Sequence, residues 1–242
     1  MKKMFCPSLL SLMLAVLLAG FCIAGDEEAI RQSLTKSYPN LTVGKIRPSA
    51  VSCLYELEVG TEILYFFPEK ELVVFREMWT REGKSLTAER RQELAARRFK
   101  DIPLDKGIKI GSGATVVIEF TDPDCPYCRK ASAYLGKRKD TTRYVYFLPL
   151  PTHKDAEKHA RYILSSSDKA KAYEEVMSGK HDGERLDTCN DAKVSALIDE
   201  HRELAVRAGV SATPSFLIHG HVVTGLNIPA IEELLEHQKN LN

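Results

Sequence analysis

The chain has 242 residues, 44% of them apolar and 28% charged, with a formal charge of +1 at neutral pH. This length allows one or two domains, and the apolar fraction is enough for ordinary cores. A near-neutral balance without any long like-charge block excludes the basic field that a nucleic-acid partner requires.

The first residues read as a secretory signal peptide: Lys2 and Lys3, an apolar run from Leu9 to Leu18, small residues at Ala24 and Gly25, then Asp26, Glu27 and Glu28. The run is short for a membrane span, which needs ~20 apolar residues. Cleavage after Ala24 is expected, with Cys22 and Ala24 flanking the site. A lipid anchor at Cys22 fits less well, because Phe21 stands where a small residue is wanted. Losing Lys2 and Lys3 takes the formal charge from +1 to −1. Of six cysteines, Cys6 and Cys22 leave with the signal. Cys53, Cys125, Cys128 and Cys189 remain for an oxidising compartment, where they are expected to pair or to have a redox task.

Residues 25–81 read as a small domain. Ile30, Leu34 and Tyr38 recur at helical spacing, and Pro39-Asn40 stops the helix. Val51, Cys53, Tyr55, Leu57 and Val59 alternate as a strand, with Cys53 as a small core residue. Turns at Gly60-Thr61-Glu62 and Pro68-Glu69-Lys70 lead into Ile63–Phe67 and Leu72–Phe75, giving an antiparallel meander. About 55 residues make a small core, so dimerisation through a sheet edge is expected to stabilise it. Residues 82–105 hold a charged helix over Ser85–Phe99, with Thr87 as N-cap candidate. It reads as a linker helix, or as the first helix of the next domain.

Residues 106–242 follow an α/β order. Ala114–Phe120 is a nearly continuous apolar run, as for a strand buried on both faces. Two cysteines follow at once in "FTDPDCPYC", and Arg129–Leu135 continues as helix. Arg143–Leu148 is a second buried strand. Helices are expected near 153–164, 168–177 and 191–208, the last ended by Gly209. A hairpin runs around Gly220, with His219 and His221 on solvated turn positions, and Asn227 caps a final helix reaching about Gln238.

A zinc site needs four ligands, and Cys125-Pro126-Tyr127-Cys128 offers one cysteine pair without accompanying Cys-His spacing. A structural staple of this size removes little chain entropy. A redox dithiol has a mechanism. Cys125 precedes a helix N-terminus, where free N–H groups and the helix dipole favour thiolate. Cys128, one turn later, can attack a mixed disulfide and release the substrate. Neither metal nor organic cofactor is needed.

The order strand, Cys-Pro-Tyr-Cys, helix, and later Thr213-Pro214 before a hairpin resembles the thioredoxin fold. With the small domain and linker helix in front, the chain resembles the exported DsbC/DsbG family of thiol–disulfide isomerases, over nearly the whole mature length. "TDPDCPYC", "EEVMSGK" and "GVSATPSFL" carry the likeness best. The resemblance implies a V-shaped homodimer joined through the N-terminal domains, periplasmic and soluble once cleaved. Misfolded or oxidised exported proteins would be its substrates, and a DsbD-like membrane reductase its electron donor. It implies Cys125 as the attacking thiol and Cys128 as the resolving one. Thr213-Pro214 would be a cis peptide bond against the dithiol, with the Thr213 backbone pairing with substrate.

Three positions depart from the pattern. The family's second disulfide would use Cys189 and a position near Leu164, which holds no cysteine, so that bridge is not expected and the pairing of Cys53 and Cys189 stays open. Pro126-Tyr127 matches the DsbG version, whose members reduce sulfenic acids on single cysteines. Glu119, six residues before Cys125, is similar to the buried acid of thioredoxin. It either exchanges a proton with Cys128 or reaches solvent at the strand end. Asp122 and Asp124 read as turn and capping residues. DsbA-like net oxidation and a holdase chaperone are the rival readings.

Overall fold

In a computed structural model of the chain, residues 27–184, 186 and 191–236 are described. The signal region, Cys189 and the end of the last helix lie outside them. The chain divides into two compact units: one holds the residues up to Glu58 with Leu64–Phe75, the other Val59–Ile63 and everything from Arg76.

In the first unit, helix α1 (Glu27–Ser37) buries Ile30 and Leu34, the stripe expected from their spacing. A four-stranded antiparallel sheet follows in sequence order: β1 (Ile46–Pro48), β2 (Tyr55–Val59), β3 (Glu62–Phe67) and β4 (Leu72–Val74). The strand read over Val51–Val59 begins only at Tyr55. Val51–Cys53 forms a turn, and Cys53 adopts a left-handed φ of 64°. Cys53 is also no core thiol: it is half-buried and disulfide-bonded. Since Cys125 and Cys128 are free, its partner lies outside the described residues.

In the second unit, α2 (Leu86–Lys100) is capped by Ser85, whose side chain accepts from Ala88 N–H. The expected cap, Thr87, is instead fully buried and accepts from Met78 N–H. Then come β5 (Ile108–Gly111), β6 (Thr115–Thr121), α3 (Pro126–Leu135), β7 (Thr141–Phe147), α4 (Ala156–Ser165), α5 (Lys169–Met177), α6 (Ala192–Ala208), β8 (Ser215–Ile218), β9 (His221–Thr224) and α7 (Ile228–Glu236). Gly209 ends α6 in the left-handed conformation, its N–H returning to Ala205 and Val206 carbonyls. The Asn227 side chain accepts from Ala230 N–H at the start of α7.

The five strands lie in the order β5-β7-β6-β8-β9, with β6 and β7 parallel and the other pairs antiparallel. Strand β6 is thus central and covered on both faces. Ile118 and Phe120 pack with Phe99 of α2 and Leu204 of α6. Val117, on the opposite face, packs with Ala131 and Leu135 of α3 and Ile231 of α7. No helix among the described residues is long and apolar enough to cross a membrane.

Fully buried His201 ties α6 to the sheet. Its Nδ1 accepts from Phe147 N–H at 3.0 Å and its Nε2 donates to the Lys106 carbonyl at 2.8 Å. The ring is therefore neutral in the fold, and burial lowers its pKa. A folded pKa below the unfolded value of ~6.5 leaves stability complete above that pH, and lost as pH falls towards the folded pKa. Denaturant melts from pH 7 to 5 should show this decline, and His201→Gln should lose the part that belongs to the imidazole. An equal slope in both proteins would contradict the assignment.

Candidate active site

Strand β6 ends at Thr121, and the loop Asp122–Asp124 carries the chain into α3. Cys125 is the last extended residue, φ −72° and ψ 121°, and Pro126 opens the helix where a missing N–H costs nothing. Cys125 and Cys128 are therefore one turn apart at a helix N-terminus. Both are free thiols. Cys125 keeps 5% of its surface exposed and Cys128 none.

The Thr213-Pro214 bond is cis, as the resemblance implied, and brings the Thr213 carbonyl to 3.9 Å from Cys125 Sγ. Tyr127 between the cysteines is 59% exposed, with Lys130 Nζ 5.9 Å from its ring centroid. Cys125, Cys128, Thr213 and Pro214 thus come together, the arrangement that the resemblance implied.

Cys128 Sγ accepts from Asp122 N–H at 3.4 Å. Burial pushes its thiol up to about 12, against the opposing pull of that N–H and of the Thr121 and Thr213 hydroxyls. A dry sulfur near few donors has a poorly solvated anion, so the proton stays on.

Glu119 does not reach solvent; it is wholly buried. Residues 117, 119 and 121 share one face of β6. In the parallel register Arg143 pairs with Val117 and Val145 with Glu119, so the Arg143 side chain lies diagonally across from Glu119. Its Nη1 donates to Glu119 Oε2 at 3.3 Å, and Tyr173 of α5 donates its hydroxyl to Oε1 at 3.2 Å. The guanidinium also stands 5.4 Å over the Tyr173 ring. Burial raises the Glu119 pKa, opposed by Arg143, Tyr173 and Thr121. Arg143 and Tyr173 were not singled out from the sequence. They lie 24 and 54 residues from Glu119, and only the strand register and the α5 packing join them.

Asp122 is a turn residue, as expected, and also more. Its buried carboxylate accepts from Asp124 N–H (2.8 Å), Leu150 N–H (2.8 Å) and His153 Nδ1 (2.9 Å). It locks the dithiol loop to the segment after β7 while its own N–H holds Cys128. Asp124 does not cap α3: it bonds His159 Nδ1 and lies 3.6 Å from Arg129. Arg129 donates to the Pro123 carbonyl and, through both terminal nitrogens, to Asp182. Among the described residues no cluster of His, Cys, Asp and Glu could hold a metal ion.

Two family models match. Residues 106–239 match a thioredoxin-like domain, and residues 23–88 match the disulfide bond isomerase protein N-terminal domain. The thiol:disulfide interchange protein DsbC of Escherichia coli strain K12 is 28% identical over 236 residues, covering 94% of this chain and 96% of that protein. The probable thiol:disulfide interchange protein DsbC of Bordetella pertussis is 28% identical over 209 residues, covering 82% of this chain and 70% of that protein. The thiol-disulfide exchange protein alpha-DsbA2 of Wolbachia pipientis shares the fold with a TM-score of 0.53 at 16% identity, over 64% of this chain and all of that one.

Two outcomes follow from this geometry. In a Cys125→Ser protein, the thiolate absorbance of Cys128 should rise only above about pH 10; a rise near neutral pH would contradict its burial. Asp122→Ala should lower unfolding free energy by ~1–3 kcal/mol for each backbone N–H left unpaired, read from denaturant midpoints.

Proposed function

The chain belongs to the thioredoxin-like family and carries a disulfide bond isomerase N-terminal domain ahead of it, and on that premise we propose that it is a periplasmic thiol–disulfide isomerase and reductase. The observation that carries this reading is the division of labour between the two sulfurs. Cys125 is the more accessible, at a helix N-terminus beside a cis-proline loop. Cys128 is dry and holds its proton.

Cys125 thiolate attacks a sulfur of a wrong disulfide. A mixed disulfide forms and the other substrate sulfur leaves as thiolate. If a substrate thiolate then displaces Cys125, the substrate has been isomerised with no net electron transfer. If Cys128 loses its proton and attacks instead, the substrate leaves reduced and a Cys125–Cys128 disulfide remains. That disulfide needs a two-electron thiol reductant, for which a DsbD-like membrane protein is the proposed donor. A proton held on Cys128 delays the second route and favours the first. Thr213 presents its backbone to substrate, Pro214 fixes that loop, and Glu119 exchanges the proton of Cys128.

Residues 1–24 are proposed as the signal peptide, 25–81 as the dimerisation domain, 82–105 as the linker helix and 106–242 as the catalytic domain. A homodimer is supported by β4, which lies at an edge of its sheet with Leu72 and the following Phe75 55% and 64% exposed. Exposed Tyr127 in the Pro126-Tyr127 pair keeps a second reading in view, reduction of sulfenylated single cysteines. There Cys125 condenses with the sulfenic acid, releasing water, and Cys128 resolves the product.

Cys125→Ser should abolish repair of a scrambled-disulfide protein, and Cys128→Ser should accumulate mixed disulfides with it, visible as thiol-labile adducts. Full repair by Cys125→Ser would sink the mechanism.

A further inference from the structure

Cys128 cannot attack before its proton leaves, and it has no exposed surface. The mechanism therefore needs an internal path for that proton. Thr121 is the last residue of β6, fully buried, two positions beyond Glu119 on the same face. The next residue donates its N–H to Cys128 Sγ, which sets the Thr121 side chain beside that sulfur. Its hydroxyl is buried and makes no hydrogen bond of normal geometry to any side chain or carbonyl. Buried hydroxyls without a partner are uncommon, and each asks for a reason. The two groups in its reach are Cys128 and Glu119, and as a hydrogen-bonding neighbour it lowers the pKa of each. The Thr213 hydroxyl is likewise unpartnered and near Cys128, but Thr121 is the one that also lies against the acid.

We propose that the Thr121 hydroxyl is a catalytic residue that relays the proton between Cys128 and Glu119 in the resolving step. This rests on the reading of Cys128 as the resolving thiol and Glu119 as its acid–base partner. In the forward direction Thr121 gives its proton to the Glu119 carboxylate as it takes the proton of Cys128. The Cys128 thiolate attacks Cys125 sulfur, the bond between Cys125 and substrate breaks, and substrate leaves as thiolate. The proton stays on Glu119, and the substrate thiolate takes another from solvent. The reverse sequence reprotonates Cys128 when the dithiol is restored. A hydroxyl is suited to this because it both donates and accepts and keeps no net charge in a dry site. Arg143 and Tyr173 hold the carboxylate in place for each transfer.

The test is a single turnover of the reduced full-length protein with a peptide disulfide, quenched in acid. Mass analysis then separates formation of the mixed disulfide from its resolution. Thr121→Val should slow resolution by ~10-fold or more at pH 7 while formation is unchanged, the scale of a lost general acid–base contribution. Thr121→Ser should resolve within about two-fold of the unsubstituted rate, since it restores the hydroxyl. Glu119→Gln should slow the same step, and the double variant should be no slower than the slower single one. If Thr121→Val resolves at the full rate while Glu119→Gln is slow, the relay falls and the Glu119 reading stands. If Glu119→Gln resolves at the full rate, both fall. Multiplying effects in the double variant would show independent action and overturn the relay. Should Thr121→Val not fold, the unsubstituted protein still decides it. Resolution rates across H2O–D2O mixtures should follow a curve, for two protons in flight, and a straight line would overturn the relay.

Discussion

The catalytic unit depends on keeping one sulfur dry. Cys128 sits in the first turn of α3, with the Asp122 N–H at 3.4 Å and no exposed surface. Removing water from a thiol costs little, but removing it from a thiolate costs a great deal. The same dithiol motif on a wetter helix end would have two comparable thiols. Here burial makes them unequal: Cys125 keeps a little exposed surface and Cys128 keeps none, and on the proposed mechanism that inequality sets which sulfur meets the substrate.

The burial is built by β6. Covered by α2 and α6 on one face and by α3, α5 and α7 on the other, it carries Glu119 and Thr121 into the interior, and buried Asp122 follows directly after its end. Each of the two acids has named partners. Glu119 has Arg143 and Tyr173, while Asp122 has two backbone N–H groups and His153. A buried ion pair is poor evidence for stability, since well-packed apolar residues often do as well. Asp122 does the mechanical part, since the residue that donates to Cys128 also ties down the loop after β7.

Much of this was legible in the sequence, because it rests on local patterns. The continuous apolar run marked β6, the Cys-x-x-Cys marked its exit, and Gly209 and Asn227 marked helix ends. The misses have physical reasons. Short strands β1 and β5 hold too few alternating residues to stand out. The Val51–Val59 alternation runs on through a turn, and no pattern of polarity reveals that Cys53 takes a positive φ or a disulfide partner. Thr87 lost the cap to Ser85 because its own hydroxyl serves Met78 inside the unit. For Glu119 the sequence left two environments open. Choosing between them needs Arg143 and Tyr173, brought in by strand register and helix packing rather than by spacing along the chain.

The N-terminal unit adds a different kind of constraint. Its core is small, and its outer strand β4 shows apolar side chains to solvent. A second copy pairing at that edge would bury these side chains. The chemistry proper rests on the unequal sulfurs. The most direct measurement is limited alkylation of the fully reduced protein at pH 7 with a substoichiometric thiol reagent, followed by peptide mapping. The account predicts label on Cys125 with Cys128 unmodified. Label appearing first on Cys128, or equally on both, would contradict it.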